Sequence, residues 1–254
     1  MVERFEVSLN TPAGRLTTAL EVPTGFVPIT AIVPLMRGLG EGVQALEEQR
    51  AVEAGQPISC RKGCAACCRM LVPVSPPEAF ALADRVHALP EEQRRTMLSK
   101  VAEAKTKLEQ AGLIEPLTAL AETDRPLTDE DFEPLNRDYY ALRMACPFLE
   151  NETCSIYEDR PAACRELLVT SPPELCQDIA RNPVRPLPVS VRMGTALGLL
   201  WSDLTGEAPR LIPLPLALDW AERHRTANRQ EWKGAELLDK ALDKVWRLLS
   251  QAFH

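Results

Sequence analysis

Apolar residues recur along most of this chain at the spacing of helices, with one early exception. Residues 4–9 (Arg-Phe-Glu-Val-Ser-Leu) alternate in character, residues 15–22 do so loosely, and Pro12-Ala13-Gly14 lies between them. That pattern predicts a β-hairpin. From Thr30 to about Ala54 the apolar positions Ile32, Leu35, Met36, Leu39, Val43 and Leu46 predict a helix that delivers the chain through Gly55-Gln56-Pro57 to Cys60. Further on, Ser75 is an N-cap candidate, with Pro76 at the first helical position and Glu78 three residues after the cap. A helix to Ala88 follows, and Pro90 opens another to about Ala111, stopped at Gly112.

Leu113–Asp129 reads as loop with a turn of helix. A helix is expected to begin at Thr128-Asp129-Glu130-Asp131 and end before Cys146. Residues 146–164 are turn-rich, with a corner at Ile156–Pro161 and a short helix carrying Cys164. Ser-Pro-Pro-Glu recurs at 171–174 and predicts a second capped helix, bearing Cys176. Helices are then expected over Val189–Leu204, Leu214–Arg225 and Ala235–Phe253. The last is the most amphipathic, with Leu238, Leu242, Val245, Trp246 and Leu249 on one face.

The expected class is mostly α: an irregular helical domain with a cysteine-rich metal-binding core and a short N-terminal β-hairpin. Three stretches follow: 1–57 (hairpin and helix), 58–185 (cysteine cluster) and 186–254 (helical support), together forming one compact unit. The 254 residues suffice to bury a core without covalent staples.

A net charge of -7 argues against a general nucleic-acid surface. No run of about 18 apolar residues is present, so no membrane span is expected. The opening Met-Val-Glu-Arg-Phe-Glu carries acids where a secretory signal would be basic and then apolar, so a cytoplasmic protein is expected. In a reducing compartment, eight cysteines read as metal ligands or redox thiols before disulfides.

Four of those cysteines, Cys60, Cys64, Cys67 and Cys68, fall within nine residues, and Cys146, Cys154, Cys164 and Cys176 follow. Thiolate is a strong ligand for zinc and iron, and each such site takes about four ligands. The Cys64-x2-Cys67 spacing turns two sulfurs toward one ion. Adjacent Cys67 and Cys68 diverge, which suits two ions or two corners of a cluster. The eight thiols therefore fit two sites, a polynuclear site, or one cluster with spare thiols. Cys176 is either a ligand or a small buried hydrophobe. A thioredoxin-like pair at Cys64 and Cys67 lacks the surrounding βαβ pattern.

Two zinc ions on eight thiolates carry a formal charge of about -4, which calls for nearby cations. Arg61, Lys62, Arg69, Arg143, Arg160 and Arg165 lie close in sequence, and Arg160 and Arg165 are the best candidates for charge compensation around the ligands. The metal is expected to fix two otherwise unstructured loops and so to be part of folding.

Cys60-x3-Cys64-x2-Cys67-Cys68, then Ser75-Pro-Pro-Glu78, Cys146-Pro-Phe-Leu149, Cys154-Ser-Ile-Tyr157 and Arg160-Pro161-x2-Cys164-Arg165 form an ordered set. Over about residues 58–180 it resembles the YkgJ-type cysteine cluster family, described as zinc- or iron-chelating. The resemblance implies zinc or iron, an iron–sulfur cluster included, bound by these cysteines, with no settled activity. Flagellin lysine N-methylases carry a similar cluster, which keeps an iron-dependent enzyme as an alternative. A metal-stabilised protein-interaction module is another, its protein partner undefined.

Among other candidates, Glu78 is a ligand, a base or a capping residue. Tyr157 hydrogen-bonds a sulfur or packs the corner. His87, His224 and His254 are scattered and form no hydrolytic zinc set. No phosphate-cradling glycine loop and no G-x-S-x-G occurs. The four tryptophans read as core and rim.

Overall fold

The computed structural model describes residues 1–125, 129–179 and 181–251. The alternating N-terminal residues form β1 (Val2–Thr11) and β2 (Gly14–Pro23), paired antiparallel from Val2 with Pro23 to Thr11 with Gly14. Period-2 alternation buries Val7, Leu9, Leu20 and Val22 on one face. The Thr11 hydroxyl donates to the Gly14 carbonyl at 2.9 Å, closing the turn.

After a 3-10 turn at Ile29–Ile32 comes α1 (Val33–Glu53), with Pro34 in its first turn, where no intrahelical donor is needed. Val33, Met36, Leu39 and Val43 face the core. The helix stops before Gly55, whose φ of +72° suits glycine. Next come α2 (Pro76–His87), α3 (Glu91–Gln110), α4 (Ile114–Glu122), α5 (Asp129–Ala141), α6 (Ala162–Glu166), α7 (Met193–Thr205), α8 (Ala217–Arg223) and α9 (Gly234–Gln251). Phe80 on α2 meets Trp201 on α7 and Trp220 on α8, with ring centroids 5.6 and 5.3 Å apart, and the two indoles sit 6.2 Å apart. The main core draws residues from Val7 to Leu249, so the helices after Pro186 pack on the same interior as the hairpin.

Two expectations are corrected. Residues 114–122, read as loop with a turn of helix, form α4, because Leu113 and Leu117 pack with Leu108 and its neighbours while Leu120 is buried and Ala121 joins the main core. Residues 173–178 form a 3-10 run with no side-chain cap. There the Ser171 hydroxyl accepts the Arg185 N–H at 3.2 Å, and the segment lacks an apolar face long enough to sustain an α-helix. On α9, Leu238, Leu242, Val245 and Leu249 are buried, while Trp246 stays 49% exposed at the rim. The expected helix start at Thr128, the helix end at Phe253 and His254 lie outside the described residues.

Short strand pairs join distant segments: Phe26–Pro28 with Glu231–Lys233, and Pro73–Val74 with Ile212–Pro213. Gly234 follows the first pair so closely that an added Cβ would lie 2.1 Å from the Pro23 carbonyl oxygen. Gly234→Ala is therefore expected to destabilise the protein by about 2–3 kcal/mol, since backbone has to move. Chemical denaturation checks this.

Candidate metal centre

The loop that carries the first four cysteines is a succession of tight turns. Cys64 N–H donates to the Arg61 carbonyl at 2.9 Å, Cys68 N–H to Ala65 at 3.0 Å, and Met70 N–H to Cys67 at 3.1 Å. Gly63, at φ +89°, allows the reversal between Cys60 and Cys64. Main-chain bonds stitch this loop to the second cysteine segment. Cys146 N–H donates to the Cys68 carbonyl at 2.7 Å, and Ser59 N–H to the Val169 carbonyl at 2.9 Å. The Ser59 hydroxyl also donates to the Ser171 carbonyl at 2.5 Å.

Cys154 is presented by a two-residue hairpin, Leu149–Glu150 with Thr153–Cys154. Its turn residues Asn151 and Glu152 both have positive φ, the type I′ arrangement. Cys164 sits on α6, whose first N–H, from Ala162, donates to Glu78 Oε1 at 2.7 Å. Glu78 Oε2 accepts the Ser75 N–H at 2.9 Å and the Ser75 hydroxyl at 2.7 Å. Both carboxylate oxygens of this buried residue are thus engaged. Glu78 is the cap of α2 and the tether of α6.

Six cysteines, Cys64, Cys67, Cys68, Cys146, Cys154 and Cys164, line one small cavity of about 50 Å³. Cys60, Cys64, Cys67 and Cys164 line an adjoining cavity of about 250 Å³. Cys176 is buried and lines neither of these two cavities. All eight are free thiols. Among the described residues no group of three or more Cys, His, Asp or Glu side chains is placed so that it could hold a metal ion. The donor chemistry, all soft sulfur, suits zinc and iron.

Cys67 lines both cavities, as do Cys64 and Cys164. The Cys67 thiol is lowered to about 7, first by the hydrogen bond from Cys68, with its own N–H and the Arg160 charge helping against burial. Cys68, as the donor of that bond, is pushed up. Burial raises Cys60 and Cys154, takes Cys146 to about 12 and lifts Cys164 well above the usual thiol range; negative charge on Cys67 raises each further. Burial takes Cys176 to about 11, with smaller contributions from Cys60, Cys67 and Cys64. Such thiols stay protonated and inert until a cation repays the cost of charging them.

Arg160 stacks on the Tyr157 ring at 3.7 Å and donates from Nε to the Tyr157 carbonyl at 3.0 Å. Lys62 covers the same ring at 5.2 Å, so Tyr157 packs the corner. Arg165 binds the Arg160 carbonyl at 3.1 Å and pairs with Glu41 of α1. Positive charge on both arginines reaches Cys154. His87 is exposed. His224 stacks on Trp220 at 4.1 Å and lies 3.3 Å from Glu122, away from the thiols.

Two contributors escaped the sequence reading. Arg37, Glu41, Gln44 and Glu48 form a polar stripe on α1 that faces the larger cavity. Their spacing of four, three and four residues is the available signal. Glu166, half-buried at the end of α6, accepts the Met193 N–H at 2.7 Å, and desolvation lifts its carboxyl to about 7.

A mostly helical scaffold that folds six free thiols from two distant segments around one cavity defines a cysteine-cluster protein. Residues 59–178 match the CxxCxxCC family model, whose description is "Putative zinc- or iron-chelating domain". No curated protein and no solved structure gives a significant match. Among the described residues no helix is long and apolar enough to cross a membrane.

Proposed function

We propose that this protein is a YkgJ-type zinc- or iron-binding protein of a reducing compartment such as the cytoplasm, with an iron–sulfur cluster as one form of the iron. The ligands are drawn from Cys60, Cys64, Cys67, Cys68, Cys146, Cys154, Cys164 and Cys176, and Arg160 and Arg165 offset the thiolate charge. The supporting observation is the cavity of about 50 Å³ walled by six of these cysteines. In this reading residues 58–185 hold the metal, and residues 1–57 and 186–254 support it.

The test is metal per chain and an absorption spectrum on anaerobically prepared protein. At least one equivalent of zinc or iron is expected, coloured if iron. Less than one equivalent of any transition metal overturns the proposal.

A second reading, an iron-dependent enzyme related to flagellin lysine N-methylases, draws support from the adjoining cavity of about 250 Å³. An enzyme needs a space beside its centre, and a purely structural metal site does not. An interaction module has no use for that cavity.

A further inference from the structure

We infer that the cavity of about 250 Å³ beside the thiols is a binding pocket for a small organic ligand with a protonated amine at one end and a hydrogen-bond acceptor near the other. The inference rests on the thiols being the metal centre, and it names what sits next to that centre.

Four polar side chains of α1 line this cavity, and of these Gln44 is buried, where an apolar residue would otherwise be expected. Two are already paired. Arg37 Nη1 meets Asp159 at 3.0 Å, and Arg165 on the far wall pairs with Glu41. The other two are not. Gln44 is only 7% exposed, and its Nε2 has no hydrogen-bond partner among the described residues. Leaving such a donor buried and unmatched costs about 1–3 kcal/mol. Glu48, one helical turn on, lines the same cavity and has no ion-pair partner among the described residues. It lies close enough to Cys60 for its charge to act on that thiol.

Positions four residues apart on a helix place their side chains about 5–6 Å apart. The wall therefore offers an unused donor and an unused anionic acceptor at a fixed separation; Ile58, Leu168 and Met193 add apolar surface, and Arg61, Arg160 and Arg165 line the cavity too. A short aliphatic chain that carries an acceptor for Gln44 and an ammonium for Glu48 matches the donor, the anion and the apolar surface. The ammonium end then lies beside Cys60, on the rim of the metal centre.

The probe is γ-aminobutyramide, titrated calorimetrically into the protein as purified, with butyramide and butylamine as controls that each lack one end. Binding is expected with a Kd on the order of 1 mM or tighter, and about tenfold weaker for each control. Glu48→Gln should erase the preference over butyramide, and Gln44→Leu the preference over butylamine, both with unchanged metal per chain. Equal binding of all three compounds, or none by metal-loaded protein, overturns the pocket. Selective binding by protein that carries no metal upholds the pocket and sinks the chelation reading.

Discussion

Replacing Cys67 with serine is expected to remove most of the zinc or iron while leaving the helices in place. Cys67 borders both cavities, and its charge is felt by the other buried thiols around them. Serine keeps the shape and removes the soft donor. Metal per chain should fall at least roughly tenfold, because a site short of one thiolate also loses the geometry that held the rest. The stabilisation that metal lends to the folded state should go with it, about 4 kcal/mol where free metal stands near a thousand times its Kd. Far-ultraviolet circular dichroism should hardly change. Cys176→Ser is the control: its side chain borders neither cavity, so most of the metal should remain. A metal-loaded Cys67→Ser protein would remove Cys67 from the ligand set.

Glu78→Ala should produce the opposite pattern, a large loss of stability with a smaller loss of metal. The side chain is 6% exposed and accepts from three donors, the Ser75 N–H, the Ser75 hydroxyl and the Ala162 N–H. Alanine strands all three in the interior. At about 1–3 kcal/mol each, with some relaxation, the expected cost is about 3–5 kcal/mol. Glu78→Gln keeps one carbonyl oxygen and should cost about half as much. Urea denaturation of the two variants, with metal analysis alongside, separates a tether from a ligand. An alanine variant as stable as the parent would show that α2 and α6 are held by something else.

The hairpin, the helices over 33–53 and 76–110, and the last helix were legible because each has an intact apolar period and clear stop signals at Gly55, His87–Pro90 and Gly112. The capping pair at Ser75 and Glu78 was legible too, but its second duty was not. The Ala162 N–H that binds Glu78 lies 84 residues away, and no local pattern announces it. α4 was hidden by Pro116, which reads as a breaker until it is placed in the first turn, where its missing N–H is harmless. The repeat of Ser-Pro-Pro-Glu at 171–174 misled for a related reason: Ser171 is engaged by Arg185, so the cap never forms. At the site, the order of the cysteines marked the thiols but not the wall opposite them. Arg37, Glu41, Gln44 and Glu48 look like an ordinary solvated helix face until the fold sets them along the larger cavity.

The joints between the two cysteine segments are made by peptide groups, from Cys146 to Cys68 and from Ser59 to Val169. Main-chain bonds of this kind predict a socket that keeps its shape when emptied and can be refilled. Ion uptake should accordingly run at the pace of ligand deprotonation and diffusion and not of refolding, so the protein is suited to exchanging its cargo as well as keeping it.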